Sequence, residues 1–218
     1  MKLFWTPASP FVRKVLVAAI ELNLREQIDI HPTYWPHEWG SRTVALDPAF
    51  VAANPIGRIP ALVTKDGVAI PESNWICDYF DTLNSGKKLL PQSGAARWQC
   101  IRMLAIADGA LEAMILRRAE LLRDKNEQSP GFLGKQKDRI FRCFDTIESE
   151  FDTLEGDLTL AQISTGIACS YMEFRYPGDN WANGYPKLSV WSAAFSRRPS
   201  MAQTMPAETP QHAGETVA

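Results

Sequence analysis

Ile59-Pro60-Ala61-Leu62-Val63-Thr64-Lys65-Asp66-Gly67-Val68-Ala69-Ile70, followed at once by Pro71-Glu72-Ser73, is the stretch on which the fold turns. Two short apolar runs, 59–64 and 68–70, enclose an Asp-Gly step, which predicts two strands joined as a hairpin. Behind them Ile76, Tyr79, Phe80 and Leu83 recur at helical spacing. Ser73 has the residue type of an N-cap, so the hairpin feeds a helix that packs on the sheet.

Upstream, Lys2-Leu3-Phe4-Trp5 is a short apolar run stopped by Thr6-Pro7, as a buried strand entering a loop would be. Ser9 is placed as an N-cap and Pro10 as the first helical residue, where the missing N–H is harmless. Val12, Val15, Leu16, Ala19 and Ile20 then form one helical stripe, and Arg13 and Lys14 read as a solvated face of that helix. Gln27 to His31 alternates as a second strand, giving strand, helix, strand and hence a parallel pair with a helical crossover. Residues 32–54 read as a long irregular connection with one short helix over Pro48 to Ala53.

Downstream, Asn84 to Ala95 carries two Ser-Gly steps, Lys87-Lys88 and Pro91, and marks a domain boundary. The pattern beyond it is helical: a long segment over 96–122, a second carrying Ile140, Phe144, Ile147, Phe151 and Leu154, a third over 160–174, and a short one opened by Tyr185-Pro186 with Leu188, Trp191 and Phe195. Thr159 and Gln162 have the spacing of a capping box at the start of the third. The polar stretch from Pro199 to Ala218 has no apolar period and reads as disordered.

The 218 residues are 45% hydrophobic and 22% charged, so a core is expected. A net charge of -2 without a basic run argues against nucleic acid. No segment reaches the roughly 18 apolar residues of a membrane span, and the N-terminus lacks the pattern of a secretory signal, so no membrane partner and a cytoplasmic location are expected. Cys77, Cys100, Cys143 and Cys169 are far apart in helical segments, and His31, His37 and His212 are scattered, so buried reduced thiols and no metal site are expected.

Taken in order, the first strand, Ser9-Pro10 at a helix start, Asn54-Pro55-Ile56-Gly57-Arg58-Ile59-Pro60-Ala61-Leu62, Glu72-Ser73 before a helix, and the helical second half resemble the cytosolic glutathione transferase family, in its bacterial, serine-type form. Arg175-Tyr176 and the closing Arg198-Pro199-Ser200 extend the resemblance over nearly the whole chain. It implies an α/β thioredoxin-like N-terminal domain over 1–83, a linker over 84–95 and an all-α domain over 96–218. It also implies glutathione as co-substrate, a small hydrophobic electrophile as second substrate, and a homodimer.

Within that resemblance Ser9 is the catalytic residue beside the glutathione sulfur. A hydroxyl at a helix N-terminus can donate to a thiolate while the helix dipole favours the anion. Each unit by which a thiol falls below its usual ~8.5 needs about 1.4 kcal/mol of preference for the anion, which such a site can supply. Ile59-Pro60 resembles the family's cis-proline corner, where the backbone before proline pairs with the cysteinyl part of glutathione. Glu72-Ser73 resembles the pair that holds the γ-glutamyl end, Ser73 with neighbouring N–H groups facing its carboxylate and Glu72 its ammonium. Phe11, Met103, Ala107 and Met114 are candidate walls of a second-substrate pocket between the domains, although apolar residues at helical spacing are also ordinary core.

The chain departs from the family by carrying Gln162 where Asp is usual and by lacking the Ser-Ser-Cys run of the isomerase branch. Conjugation or displacement by an activated thiolate is the expected reaction. A non-catalytic ligand carrier or regulatory protein on the same fold is the alternative. A thiol-disulfide oxidoreductase fits less well, because Ser9 stands where a reactive cysteine would be wanted.

Overall fold

In the computed structural model, which describes residues 1–33 and 47–208, β1 (Lys2–Trp5), α1 (Pro10–Glu21) and β2 (Asp29–Pro32) form the strand-helix-strand unit, with β1 and β2 parallel from Lys2 opposite Asp29 to Trp5 opposite Pro32. After α2 (Pro48–Ala53) come β3 (Ala61–Val63), β4 (Ala69–Pro71) and α3 (Ser73–Leu83). The sheet order is β2-β1-β3-β4, antiparallel at its last two pairings. Neighbouring residues of a strand face opposite ways, and Leu3 and Phe4 are both fully buried, so β1 is covered on both faces. On one side Phe4 meets Phe50 of α2, ring centroids 5.4 Å apart, together with Ala61. α1 and α3 pack against each other.

The expected elements are present, with β3 starting at Ala61 rather than Ile59 and three further corrections in this half. β2 begins two residues later than expected, because Arg25–Gln27 closes as a 3-10 turn whose last carbonyl accepts from the Met1 ammonium at 2.8 Å. The cap of α3 is Glu72 rather than Ser73, which is its first helical residue. Arg13 and Lys14 are not solvated: they are 3% and 0% exposed.

The second half holds α4 (Gly94–Leu121), α5 (Pro130–Ser149), α6 (Leu160–Arg175), α7 (Pro186–Phe195) and α8 (Pro199–Ala202). Cys100, Met103, Leu104, Ala107, Ala110, Leu111 and Met114 make a buried seam along α4, which packs against α5 and α6. α6 is buried at every position from Leu160 to Met172, as befits a central helix. Phe151 and Leu154 do not continue α5: the N–H and Oγ1–H of Thr153 both donate to the Glu150 carbonyl, at 3.0 and 2.8 Å, and tighten the chain into a separate 3-10 turn. α7 has no cap of its own, and Glu148 of α5 supplies one by accepting from the Lys187 and Leu188 amides at 3.0 and 2.8 Å.

The capping box of α6 is formed, with Thr159 Oγ1 accepting from the Gln162 amide and Gln162 Oε1 accepting from the Thr159 amide. Its glutamine also explains the departure from aspartate, since Gln162 Nε2 donates to the buried Leu154 carbonyl at 2.7 Å, a bond that a carboxylate could not make.

Midway along α6, Gly166 is where Phe195 of α7 lies against the backbone: a Cβ placed there would stand 2.5 Å from Phe195 Cδ1. Alanine favours a helix by about 1 kcal/mol over glycine, but the Phe195 ring is stacked on Trp191 and cannot simply retreat. Gly166→Ala is therefore expected to destabilise by about 1–3 kcal/mol net of that gain, read as a lower midpoint in urea unfolding.

Among the described residues the chain divides into two compact units, one within 1–89 together with 203–208, the other Leu90–Ala202. The break falls inside the 84–95 stretch, and its first part is anchored, since both oxygens of the buried Asp81 accept from the Leu89 amide at 2.9 and 3.1 Å. The expectation of disorder from Pro199 to Ala218 is corrected over residues 199–208, and residues 209–218 lie outside the described residues. Pro199–Ala202 is helical with Ser200 and Met201 buried, and Ala207 N–H then donates to the Pro7 carbonyl at 3.4 Å. Arg13 explains part of this ordering: its buried guanidinium donates to Thr204 Oγ1 at 3.4 Å and reaches Met205 Sδ at 3.7 Å.

Candidate functional site

Three segments of the first unit carry the candidate residues. The first is the turn from β1 into α1, closed by the Ser9 amide donating to the Thr6 carbonyl. Ser9 is the N-cap, with φ -83° and ψ 121°, and its Oγ accepts from the Val12 amide at 3.3 Å. Accepting that bond leaves the hydroxyl hydrogen available for an outside acceptor. The side chain is half-buried, and the first turn of α1 contains no acidic residue to offset its dipole. An anion close to this end of α1 meets one hydroxyl donor and a positive helix terminus.

The second segment is the approach to β3. The Ile59-Pro60 peptide bond is cis. Its position is held by the buried Asn54, whose Nδ2 donates to the Arg58 carbonyl at 2.5 Å and whose Oδ1 accepts from the Ile56 amide at 3.1 Å. Gly57 takes φ 72° within this turn, a conformation that suits glycine.

The third segment is the start of α3. Glu72 adopts φ 73°, which is uncommon for a residue with a side chain and costs on the order of 1 kcal/mol or more. That conformation folds its carboxylate over the helix end, where Oε1 accepts from Ser73 Oγ–H at 3.0 Å and from the Asn74 amide at 3.1 Å. Ser73 is buried, at 1% exposure. The donors expected for a ligand carboxylate are thus engaged by the chain's own acid, and an incoming carboxylate has to displace it from Ser73.

Of the apolar candidates, Phe11 is half-buried in the first turn of α1, whereas Met103, Ala107 and Met114 belong to the buried seam of α4 with 1%, 0% and 0% exposure. A depression of about 260 Å³ lined by Met1, Leu24, Gln27, Lys65, Asp66, Tyr79 and Leu83 contains none of the candidate residues. His37 and His212 lie outside the described residues. Among the described residues no cluster of three or more His, Cys, Asp or Glu side chains is arranged to hold a metal, and no helix is long and apolar enough to cross a membrane. None of the four cysteines forms a disulfide, and burial pushes the Cys100, Cys143 and Cys169 thiols above the usual range, which makes them poor nucleophiles.

Sequence reasoning missed two polar residues of this region. Lys14, read as solvated, donates from Nζ to Asn74 Oδ1 at 2.9 Å and so joins α1 to the first turn of α3. Asn54 has no signal of its own in the sequence, and its role appears only in its bonds to Ile56 and Arg58. A lysine within an otherwise apolar helix face is the one signal that could have pointed to Lys14.

Residues 8–83 match the family described as Glutathione S-transferase, N-terminal domain. A solved glutathione transferase family member from Pseudomonas fluorescens Pf-5, with bound glutathione, is 35% identical over 95% of this chain and 99% of that one, with a TM-score of 0.89. A glutathione S-transferase from Methylobacillus flagellatus KT, also with glutathione bound, is 28% identical over 94% of this chain and 99% of that one, with a TM-score of 0.81. The GST-like protein YibF of Escherichia coli K12 is 28% identical over 94% of this chain and 98% of its own length. A thioredoxin-like four-stranded sheet followed by a helical region, with these matches over nearly the full length, places this chain in the glutathione transferase family.

Proposed function

We propose that this protein binds glutathione in its first unit and holds the sulfur as a thiolate for conjugation to, or displacement on, a small electrophilic and largely apolar substrate. The observation that carries the reading is Ser9 at the N-cap of α1, its hydroxyl hydrogen free of the capping bond and the helix dipole uncompensated. Glutathione is then the nucleophile, and the serine stabilises its charge by a hydrogen bond that strengthens as the proton leaves. Ile59 contributes backbone groups to the cysteinyl part, and Glu72 and Ser73 take the γ-glutamyl end once Glu72 turns from the Ser73 hydroxyl to the ligand's ammonium. Phe11 is the candidate wall residue with surface to offer an apolar substrate.

Calorimetric titration with glutathione, followed by turnover over a panel of electrophiles, tests this reading. Binding with turnover supports it. Binding without turnover on any of them favours a carrier, and no binding overturns the glutathione site.

A homodimer and a reducing, cytoplasmic setting complete the proposal. Trp75 and Trp98 are 62% and 68% exposed, an unusual presentation for tryptophan that favours a protein partner, and the four cysteines form no disulfide. Sedimentation equilibrium is expected to give twice the chain mass, and a monomer across the whole concentration range would exclude the dimer.

A further inference from the structure

A lysine without solvent exposure needs a reason, because removing an ammonium from water is costly unless the fold gives it partners. Lys14 is 0% exposed and sits in the second turn of α1, the helix that Ser9 caps. Its Nζ donates to Asn74 Oδ1 at 2.9 Å and lies 5.3 Å from the centre of the Phe11 ring. Asn74 is the second residue of α3, and its amide donates to the same Glu72 oxygen that accepts from Ser73 Oγ–H. One side chain thus ties the helix carrying the sulfur-end serine to the helix start carrying the γ-glutamyl-end pair. Apolar packing between α1 and α3 needs no such group, and a hydrocarbon side chain would fill the space without the desolvation cost.

We propose that Lys14 is a positioning residue for the γ-glutamyl end of glutathione. Through Asn74 it fixes the first turn of α3 against α1, and its buried positive charge favours a carboxylate at that helix end. This role rests on the glutathione reading above and deepens it. The sulfur end is served by Ser9, so Lys14 acts on binding of the tripeptide's acidic end and leaves ionisation of the thiol alone.

The test compares glutathione with cysteinylglycine, which lacks the γ-glutamyl residue, in the full chain and in Lys14→Met. Glutathione is expected to bind about tenfold or more weakly to the variant, in line with loss of a charge-assisted bond, while cysteinylglycine binds as before and the pH profile of thiolate formation does not move. Asn74→Ala is expected to give the same pattern in weaker form, because it removes the tether between the two helices and leaves the Lys14 charge in place. Should Lys14→Met fail to fold, Asn74→Ala alone carries the comparison. Equal weakening of both ligands, or unchanged glutathione affinity, overturns the role of Lys14 and leaves the glutathione site standing. Absence of glutathione binding in the unaltered protein overturns both.

Discussion

Ser9→Ala is expected to raise the pKa of bound glutathione by about one to two units and to lower turnover at neutral pH by about ten- to a hundredfold, the loss of one charge-assisted hydrogen bond at 1.4 kcal/mol per unit. The sign follows from which form the hydroxyl stabilises. A donor pointed at sulfur holds the anion, so its removal raises the pKa, and activity should recover as pH rises through the new value. On the reading proposed above, glutathione affinity should change little, because the γ-glutamyl group and the cysteinyl backbone would keep their partners. The same substitution removes the acceptor for the Val12 amide, so about 1 kcal/mol of stability is also expected to go. Ser9→Thr is the control and is expected to keep activity and stability, since it keeps both hydroxyl and cap. The measurement is the pH dependence of thiolate absorbance and of kcat/KM. An unchanged profile in Ser9→Ala would mean that the serine is only a cap.

The largest stability effect is expected at Asp179, in the short turn after α6. Its carboxylate accepts from both terminal nitrogens of Arg117 on α4 and from Lys137 Nζ on α5 at 3.0 Å, so three elements of the helical unit meet on one acid. The Asp179 and Arg117 side chains are 10% and 14% exposed, and Arg117 also stacks on the Tyr176 ring, 4.3 Å from its centre. Asp179→Ala leaves the Arg117 charge nearly buried without this partner, and a loss of about 2–4 kcal/mol follows. Burial raises the Asp179 pKa, but the Arg117 and Lys137 bonds outweigh it and hold the carboxyl below its usual 3.8. A depressed pKa stabilises the fold above the unfolded value of about 3.9 and loses that contribution as pH falls through the lower folded value. The gap between the unaltered protein and Asp179→Ala in urea unfolding should therefore be constant near neutrality and close only below about pH 4. Asp47 follows the same sign, held low by the hydrogen bond to His31 at 2.8 Å.

Much of the fold was legible because the signals were local. The Asp-Gly hairpin, the Ser9 cap before Pro10, the short helix over Pro48 to Ala53 and the Thr159 to Gln162 box each depend on a few adjacent residues. What was misread depended on partners distant in sequence. Lys14 and Arg13 read as surface because most such residues are, and only the arrival of Asn74 and Thr204 gives them a buried place. Residues 199–208 lack an apolar period, yet Arg13 and the Pro7 carbonyl give them bonds that composition does not disclose. Ser73 has the type of a cap, but the positive φ of Glu72 decided that the acid takes that role.

From its sequence this chain carries a strand-helix-strand start, a helical second half, a serine at a helix N-terminus and an acid-hydroxyl pair before another helix, all set by side-chain period and turn chemistry over short spans. Tertiary structure decided which charges are buried, which acid occupies the end of α3 and that Met103, Ala107 and Met114 close into a seam. The physical reason is that burial and hydrogen-bond partnership belong to pairs of groups brought together by packing, and the period of a single segment does not name the second member of the pair.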